Sequence, residues 1–244
     1  MAIETEIADW IAERLAGAGA TGFVVGLSGG VDSATTAALA ARAVGPDQVL
    51  AALLPCHSSP IDAHLARRIA GAFEIPTVTV NLDDAFDEMM KKLPPTDHRL
   101  AAANVKPRMR MIVLYYLAQV NNYLVLGSGN RTELMVGYFT KYGDGGADLL
   151  PLGDLYKTEV WDLARAIGVP REIVDRAPSA GLWPGQTDEE ELGITYETLD
   201  CILTAIAAGD TEDIPSPTLE QVERMIARSA HKRAMPPIFQ RPRH

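Results

Sequence analysis

Apolar runs alternate with amphipathic stretches along this chain of 244 residues. Ile7, Ile11 and Leu15 recur at helical spacing, which predicts a helix over residues 3–17. Short apolar runs without polar alternation predict buried strands at 22–27, 49–54, 77–80 and 123–126. The remaining periodic stretches predict helices at about 33–44, 59–73, 83–93, 105–120, 158–167, 196–207 and 217–229.

Strands and helices follow one another in the order that is typical of a parallel sheet. Buried strands joined by helices form such a sheet with helices on both of its faces. We therefore expect an α/β fold with a doubly wound, mostly parallel sheet flanked by helices, as in Rossmann-like proteins. Residues 137–157 and 178–193 lack periodicity, and irregular stretches of this length inside a domain usually carry function. No repeat or linker interrupts the sequence, so we expect a single domain over residues 1–244.

Composition and charge exclude several classes of partner. The chain is 47% hydrophobic and 22% charged, and its formal net charge is -10. An acidic surface of this kind argues against binding to nucleic acid or to an anionic membrane. The N-terminus has no basic segment followed by an apolar run, and no stretch reaches the roughly 20 apolar residues that span a bilayer. We therefore expect a cytoplasmic protein, with Cys56 and Cys201 as buried, reduced thiols.

A loop that contains two adjacent glycines follows the first predicted strand. Its residues Ser28-Gly29-Gly30-Val31-Asp32-Ser33 lead directly into a helix. Glycines let a turn approach a phosphate closely, and the backbone N–H groups at the helix N-terminus then bind the anion. The loop lacks the lysine of Gly-x-x-x-x-Gly-Lys-Ser/Thr and the spacing of Gly-x-Gly-x-x-Gly. Its position between strand and helix favours phosphate binding over a plain connecting turn.

This loop resembles that of the ATP pyrophosphatases, through its Ser-Gly-Gly-x-Asp-Ser pattern. The superfamily has an adenine nucleotide alpha hydrolase-like fold and includes GMP synthetase, asparagine synthetase, tRNA-modifying adenylating enzymes and NAD synthetase. The resemblance implies cleavage of ATP between the α and β phosphates, with activation of a substrate oxygen as an adenylate. The loop by itself does not choose among these enzymes.

Later segments resemble the ammonia-dependent NAD synthetases. They are residues 104–111, 140–148, 151–159, 178–189 and 231–233, so the similarity runs through essentially the whole chain in order. The resemblance implies that the nicotinate carboxylate of deamido-NAD is adenylated by ATP and then attacked by ammonia. The implied products are NAD, AMP and pyrophosphate, in a ligase reaction that completes NAD biosynthesis.

The roles of family residues transfer to the matching positions of this sequence. The resemblance implies that ATP contacts Gly26, Leu27, Ser28, Gly29, Gly30, Val31, Asp32, Ser33, Ser128, Lys157 and Ser179. It assigns deamido-NAD binding to Arg108, Lys141, Asp148, His231 and Lys232, and catalysis to Asp32, Glu133, Lys157 and Asp148. Asp32 and Glu133 would be the Mg²⁺ ligands, because this cation prefers carboxylate and phosphate oxygens. Lys157 would supply the positive charge that the phosphate loop lacks.

Two features depart from parts of the family. One branch has Thr-Asp-His-Ala-Ala-Glu where this chain has residues 128–133, although the glutamate and a hydroxyl at Ser128 stay in register. Many NAD synthetases also carry a large N-terminal glutaminase domain, whereas the phosphate loop here begins at Ser28 and leaves no room for one. We therefore expect free ammonia as the nitrogen donor. The resemblance also implies a homodimer with the dinucleotide near the subunit interface.

Other interpretations stay open at this point. Another adenylating enzyme of the superfamily would act on XMP, aspartate or tRNA. A nucleotide-binding sensor would use the same fold without catalysis, although it would not need Asp32, Glu133 and Lys157 together. At single positions, Glu133 is otherwise an ordinary first-turn helix glutamate, Lys157 a surface lysine and His231 a surface histidine.

Overall fold

The four predicted strands form one parallel sheet. A computed structural model describes residues 2–183 and 185–241; Met1, Pro184 of the 178–189 segment and residues 242–244 lie outside the described residues. The strands are β1 (Gly22–Gly26), β2 (Val49–Leu53), β3 (Thr77–Thr79) and β4 (Tyr123–Leu126), in the order β3-β2-β1-β4. Val24 of β1 lies opposite Leu50 of β2 and Val125 of β4, and every pairing is parallel.

Helices connect and cover the strands. They are α1 (Ile3–Ala18), α2 (Val31–Val44), α3 (Pro60–Ala72), α4 (Asp83–Lys92), α5 (Arg99–Ala103), α6 (Val105–Asn121), α7 (Arg131–Val136), α8 (Lys157–Ala166), α9 (Arg171–Val174), α10 (Asp188–Leu192), α11 (Tyr196–Ala208) and α12 (Ser216–Ser229). Short 3₁₀ turns occur at Pro46–Gln48 and Ala230–Lys232. Among the described residues, we find no helix with the length and apolar character needed to cross a bilayer.

Both faces of the sheet are buried, which explains why the strand sequences do not alternate. Phe23 and Val25 of β1 pack in a core shared with α1, α2 and α8. Val24 packs in a second core on the opposite face, which is shared with α6. Each of these side chains is at most 1% exposed. Strands buried on both faces are apolar throughout, so continuous apolar runs are the sequence pattern expected of this sheet. The doubly wound α/β fold is confirmed.

A third core lies among the helices that follow the sheet. Tyr196, Leu199 and Leu203 of α11 pack with Val136 of α7 and Val222 of α12, and all five are buried. The same helix α11 contacts α8, and α8 contacts α2. This core therefore supports α7 and α8, the two helices whose first turns lie beside the phosphate loop.

Short helices are the main difference from the sequence-based prediction. Apolar periodicity does not predict α5, α7, α9 or α10, and α10 lies inside the stretch 178–193 that we expect to be irregular. Each has four to six residues, so an apolar period cannot repeat within it. Helix α2 begins at Val31, two positions before the predicted start at Ser33. The expectation that both thiols are buried is wrong for Cys201, which is exposed on α11, and correct for Cys56.

Candidate active site

The phosphate loop is a tight turn between β1 and α2. The Ser28 N–H donates to Ser33 Oγ at 3.3 Å, and the Ser33 hydroxyl donates to the Gly30 carbonyl at 3.0 Å. Gly29 has a φ of +83°, and a Cβ there would lie 2.7 Å from the backbone oxygen of Asp62. Gly30 precedes α2 without a side-chain cap. The N-terminus of α2, with the positive end of its dipole, therefore adjoins the turn, as an anion site requires.

A cavity of about 400 Å³ opens beside this loop. It lies at the carboxyl ends of β1 and β4, where the strand order reverses and open α/β sheets place their ligands. The predicted site residues along its wall are Gly26, Leu27, Ser28, Gly30, Val31, Asp32, Ser33, Ser128, Glu133, Lys157, Ser179 and Lys232. Gly29 instead packs against α3 behind the turn.

Lys157 lies between the two predicted metal ligands. Its side chain is buried at the start of α8, and its Nζ lies 2.5 Å from Asp32 Oδ2 and 3.7 Å from Glu133 Oε1. Burial alone lowers the pKa of this ammonium, but the charges of Asp32 and Glu133 outweigh burial and raise the pKa, so the lysine stays charged. Burial, together with the Asp32 charge, raises the pKa of Glu133 to about 8. The fold thus brings the three residues to one point.

Asn130 connects the same two carboxylates. Its fully buried side chain donates from Nδ2 to Asp32 Oδ1 at 2.9 Å and accepts from the Glu133 N–H at 3.0 Å. Glu133 Oε2 accepts from the Asn130 N–H at 3.3 Å, which completes a capping box at the start of α7. Glu133 is therefore no ordinary solvated glutamate, since one oxygen caps α7 and the other faces Lys157. Sequence reasoning missed Asn130, although Asn-x-x-Glu resembles a helix-start signature.

Asp188 anchors the segment that carries Ser179. It is buried and accepts from the Ala180 N–H at 2.9 Å, the Tyr138 hydroxyl at 3.1 Å and the Tyr196 hydroxyl at 3.0 Å. The Tyr196 ring lies 5.1 Å from Lys157 Nζ, at cation–π distance. Residues 178–180 are thereby held beside the lysine end of the cavity. The sequence motif includes Asp188, but only the fold reveals this anchoring role.

Four of the five residues predicted for deamido-NAD lie together. Three of them, Arg108, Lys141 and Lys232, form a cationic cluster, which His231 joins through its backbone carbonyl. The Arg108 guanidinium donates through Nε and Nη2 to the Lys141 carbonyl, each at 3.3 Å. Lys141 Nζ donates to the His231 carbonyl at 2.5 Å. Lys232 Nζ donates to the Gly137 and Phe139 carbonyls at 2.7 Å each. Because these acceptors are neutral carbonyls, the contacts orient the cations without neutralising them.

Asp148 lies apart from the Lys157 end of the cavity. Its Oδ2 accepts from the Val125 N–H at 2.8 Å, and its Oδ1 accepts from the Tyr115 hydroxyl at 3.1 Å. Burial and the Asp148 charge raise the pKa of Tyr115 to about 12, so the phenol stays a donor. Within the described part of the chain, Arg108, Lys141, Asp148 and His231 do not line the 400 Å³ cavity. The catalytic role of Asp148 therefore stays a prediction.

A further cation on the cavity wall was missed from the sequence. Arg176, which precedes the 178–189 segment, pairs with Asp62 at 2.6 Å, and both residues line the cavity. The backbone of Asp62 also lies behind Gly29. No motif singles out Arg176, and its partner is 114 positions away, so only the fold reveals the pair.

The chain is similar to NAD synthases over nearly its whole length. Residues 3–236 match the sequence profile of the family NAD synthase. The NH(3)-dependent NAD(+) synthetase of Carboxydothermus hydrogenoformans is 47% identical over 238 residues, which are 96% of this chain and 95% of that protein. That of Archaeoglobus fulgidus is 48% identical over 234 residues, 95% of this chain and 94% of that protein. The structure of NMN synthetase from Francisella tularensis has a TM-score of 0.88 at 37% identity, covering 97% of this chain and 98% of the other.

Proposed function

The chain belongs to the NAD synthase family, and we propose that it catalyses the ATP-dependent amidation of deamido-NAD with ammonia. The nicotinate carboxylate attacks the α-phosphate of ATP and releases pyrophosphate; ammonia then attacks the acyl adenylate and releases AMP and NAD. One observation carries the proposal: the phosphate loop, Asp32, Glu133 and Lys157 meet at the wall of one cavity. We expect this reaction to take place in the cytoplasm.

Asp32 and Glu133 fit a Mg²⁺ site that ATP completes. Mg²⁺ commonly takes one or two protein carboxylates together with phosphate oxygens and waters. Asp32 and Glu133 are two carboxylates that lie at one point of the cavity wall, on either side of Lys157. This pair of donors fits a cation whose other ligands are nucleotide phosphates and waters. When bound, Mg²⁺ neutralises charge on the phosphates and on the departing pyrophosphate.

The chain's own groups bind and orient both substrates. The loop from Ser28 to Ser33 and the N-terminus of α2 receive phosphate oxygens, and Lys157 adds a buried positive charge beside them. The cationic cluster around Arg108 and Lys141 offers partners for the pyrophosphate and carboxylate of deamido-NAD. Positioning and electrostatic stabilisation carry the catalysis, because the protein forms no covalent bond to either substrate.

The test uses purified protein with ATP, Mg²⁺ and ammonium, and either deamido-NAD or nicotinic acid mononucleotide. The mononucleotide is included because the similar Francisella tularensis protein is an NMN synthetase. We expect NAD from deamido-NAD, with AMP and pyrophosphate appearing in equal amounts by phosphorus NMR. A higher kcat/KM for the mononucleotide would reassign the substrate. Accumulation of ADP and phosphate in step with the amide would overturn the adenylation.

Ammonium salts should support NAD formation, whereas glutamine alone should not. The similar proteins of Carboxydothermus hydrogenoformans and Archaeoglobus fulgidus, which match over nearly their whole length, are NH(3)-dependent NAD(+) synthetases. Because NH₃ rather than NH₄⁺ is the nucleophile, the initial rate at limiting total ammonium should rise with pH across the neutral range. At saturating ammonium the initial rate should depend less on pH. This comparison distinguishes the effect of NH₃ concentration from the titration of groups on the enzyme. Robust glutamine-driven turnover by the purified chain would contradict this prediction.

An exposed stripe on α6 supports the proposed homodimer. Ile112, Tyr116 and Val120 are 62%, 68% and 66% exposed and recur every fourth residue, so they share one face of the helix. Arg108 stands one turn before Ile112 on the same stripe. The apolar stripe is therefore continuous with the proposed dinucleotide-binding cluster. We propose that a second copy of the chain covers it and that deamido-NAD binds beside this interface.

Tyr116→Asp should convert the protein to a monomer, because it places a charge in the centre of the apolar stripe. Size-exclusion chromatography with multi-angle light scattering should give twice the 26.3 kDa chain mass for wild type and the mass of one chain for the variant. KM for deamido-NAD should rise in the variant more than KM for ATP. Met89→Asp, at another exposed apolar position on α4, is the matched control and should stay dimeric. A wild-type monomer at micromolar concentration would refute the interface.

A further inference from the structure

Three side chains outside the proposed chemistry join the helices that carry Glu133 and Lys157. Thr132 immediately precedes Glu133 on α7, Thr158 immediately follows Lys157 on α8, and Asp200 lies on α11. The Thr132 hydroxyl donates to Asp200 Oδ1 at 2.5 Å. The Thr158 N–H and hydroxyl both donate to Asp200 Oδ2 at 2.9 Å. One buried carboxylate thus holds the first turns of two helices.

The contacts also complete the start of α8. The first N–H groups of an α-helix have no acceptor within the helix and need one from elsewhere. The Lys157 N–H donates to Thr132 Oγ1 at 3.0 Å, and the Thr158 N–H donates to Asp200. A carboxylate at this end also interacts favourably with the helix dipole. The backbone position of Lys157 is therefore set by a side chain of α7 and, through it, by α11.

A packing role alone does not explain a carboxylate at this place. Asp200 is 5% exposed, and burying a charge is costly unless hydrogen bonds compensate it. Here three donors from two helices do so. Tyr196, one turn earlier on α11, lies 5.1 Å from Lys157 Nζ, so the same helix also contacts the lysine side chain.

We propose that Asp200 is a positioning residue, which acts through Thr132 and Thr158 to set Glu133 and Lys157 relative to each other. The inference rests on the proposed function, because it concerns the alignment of residues that we assign to ATP and Mg²⁺. Helices α7 and α8 are separated by the irregular stretch 137–156, which does not fix their relative position through a continuous helix. A displacement of about 1 Å in a catalytic constellation can cost about 10²-fold in rate.

The experiment compares Asp200→Asn, Thr132→Val and Thr132→Ser with wild type, by steady-state kinetics of NAD formation. Asn keeps the size of Asp but turns an NH₂ group toward donors, and Val keeps the shape of Thr but removes the acceptor of the Lys157 N–H. We expect kcat to fall at least about tenfold in both, within the range that misplacement by a fraction of an ångström produces. Thr132→Ser keeps the hydroxyl, so its kcat should stay close to that of wild type. KM for deamido-NAD should change little, because the cationic cluster is not part of this network.

Asp210→Asn is the matched control, since it makes the same chemical change at an exposed residue just beyond α11. Each kcat is divided by the folded fraction of that variant, which thermal melting measures. A lower melting temperature with unchanged kcat per folded enzyme would show a purely structural role and overturn the proposal. If Asp200→Asn does not fold, the kcat of Thr132→Val compared with that of Thr132→Ser tests the proposal instead. Absence of NAD formation by wild type would instead refute the proposed function.

Discussion

Lys157→Met should lower kcat for NAD formation by about 10³-fold, the upper end of what loss of one charge-stabilising group removes. Its ammonium lies 2.5 Å from Asp32 in the phosphate loop and is buried at the cavity wall. Methionine keeps the length and bulk of the side chain but removes its charge. The phosphate loop contains no lysine of its own, so no neighbouring residue of the loop replaces that charge. Steady-state kinetics at saturating ATP and deamido-NAD measure the effect.

The same substitution should destabilise the metal-free protein by about 3–5 kcal/mol, because removing one partner leaves buried charges uncompensated. The Asp32 and Glu133 side chains are only 17% and 16% exposed, and Lys157 lies between them. Mg²⁺ should therefore raise the melting temperature of the variant more than that of wild type. Thermal melting across a magnesium titration measures this difference.

Lys91→Met controls for the loss of a lysine as such. Lys91 is 67% exposed on α4 and pairs with Glu88 at 2.7 Å, and exposed pairs contribute about 0–1 kcal/mol. This variant should keep wild-type turnover, with no added response of its melting temperature to Mg²⁺. Wild-type turnover by Lys157→Met would show that the lysine has no part in the mechanism. The proposed ATP site would then lose its main support.

The sheet was predictable because its signal is local. Phe23, Val24 and Val25 are consecutive apolar residues, and the two opposite cores that they enter require apolar side chains on both faces. The short helix α7 carries a local signal of another kind. Asn130 and Glu133 have the spacing of a capping box, and this pair predicts a helix start where apolar periodicity is too short to help.

The proposed supports of the site were not predictable in the same way. Asp200 is 68 positions from Thr132 in the sequence and 42 from Thr158, and nothing in either local segment indicates its partner. Arg176 and Asp62 meet only because α3 and the segment after α9 border the same cavity. The family resemblance indicated which residues could meet the substrates. It did not indicate which residues hold them in place, because those contacts depend on packing between distant helices.

Asp32→Asn and Glu133→Gln should each lower kcat by at least about 10²-fold, the scale of losing one charge-stabilising group. Both substitutions keep side-chain size and hydrogen-bonding capacity but remove a proposed Mg²⁺ ligand. The activity of each variant should need more Mg²⁺ for half-saturation than wild type. Initial rates over a magnesium titration at fixed ATP measure both effects.

Stability should separate the two variants. Asp32→Asn removes the closer partner of a buried ammonium, so the metal-free protein should melt at a lower temperature. Glu133→Gln should melt at or above the wild-type temperature, because glutamine can keep the capping contact to the Asn130 N–H. The raised pKa of Glu133 means that its deprotonation opposes folding, so this group should lower the stability of the metal-free wild type as pH rises from about 4.5 to about 8. Glu133→Gln should lack this contribution and lose less stability than wild type over the same range. If Glu133 were only a helix cap, Glu133→Gln would turn over like wild type at low Mg²⁺, and the second metal ligand would have to be sought elsewhere.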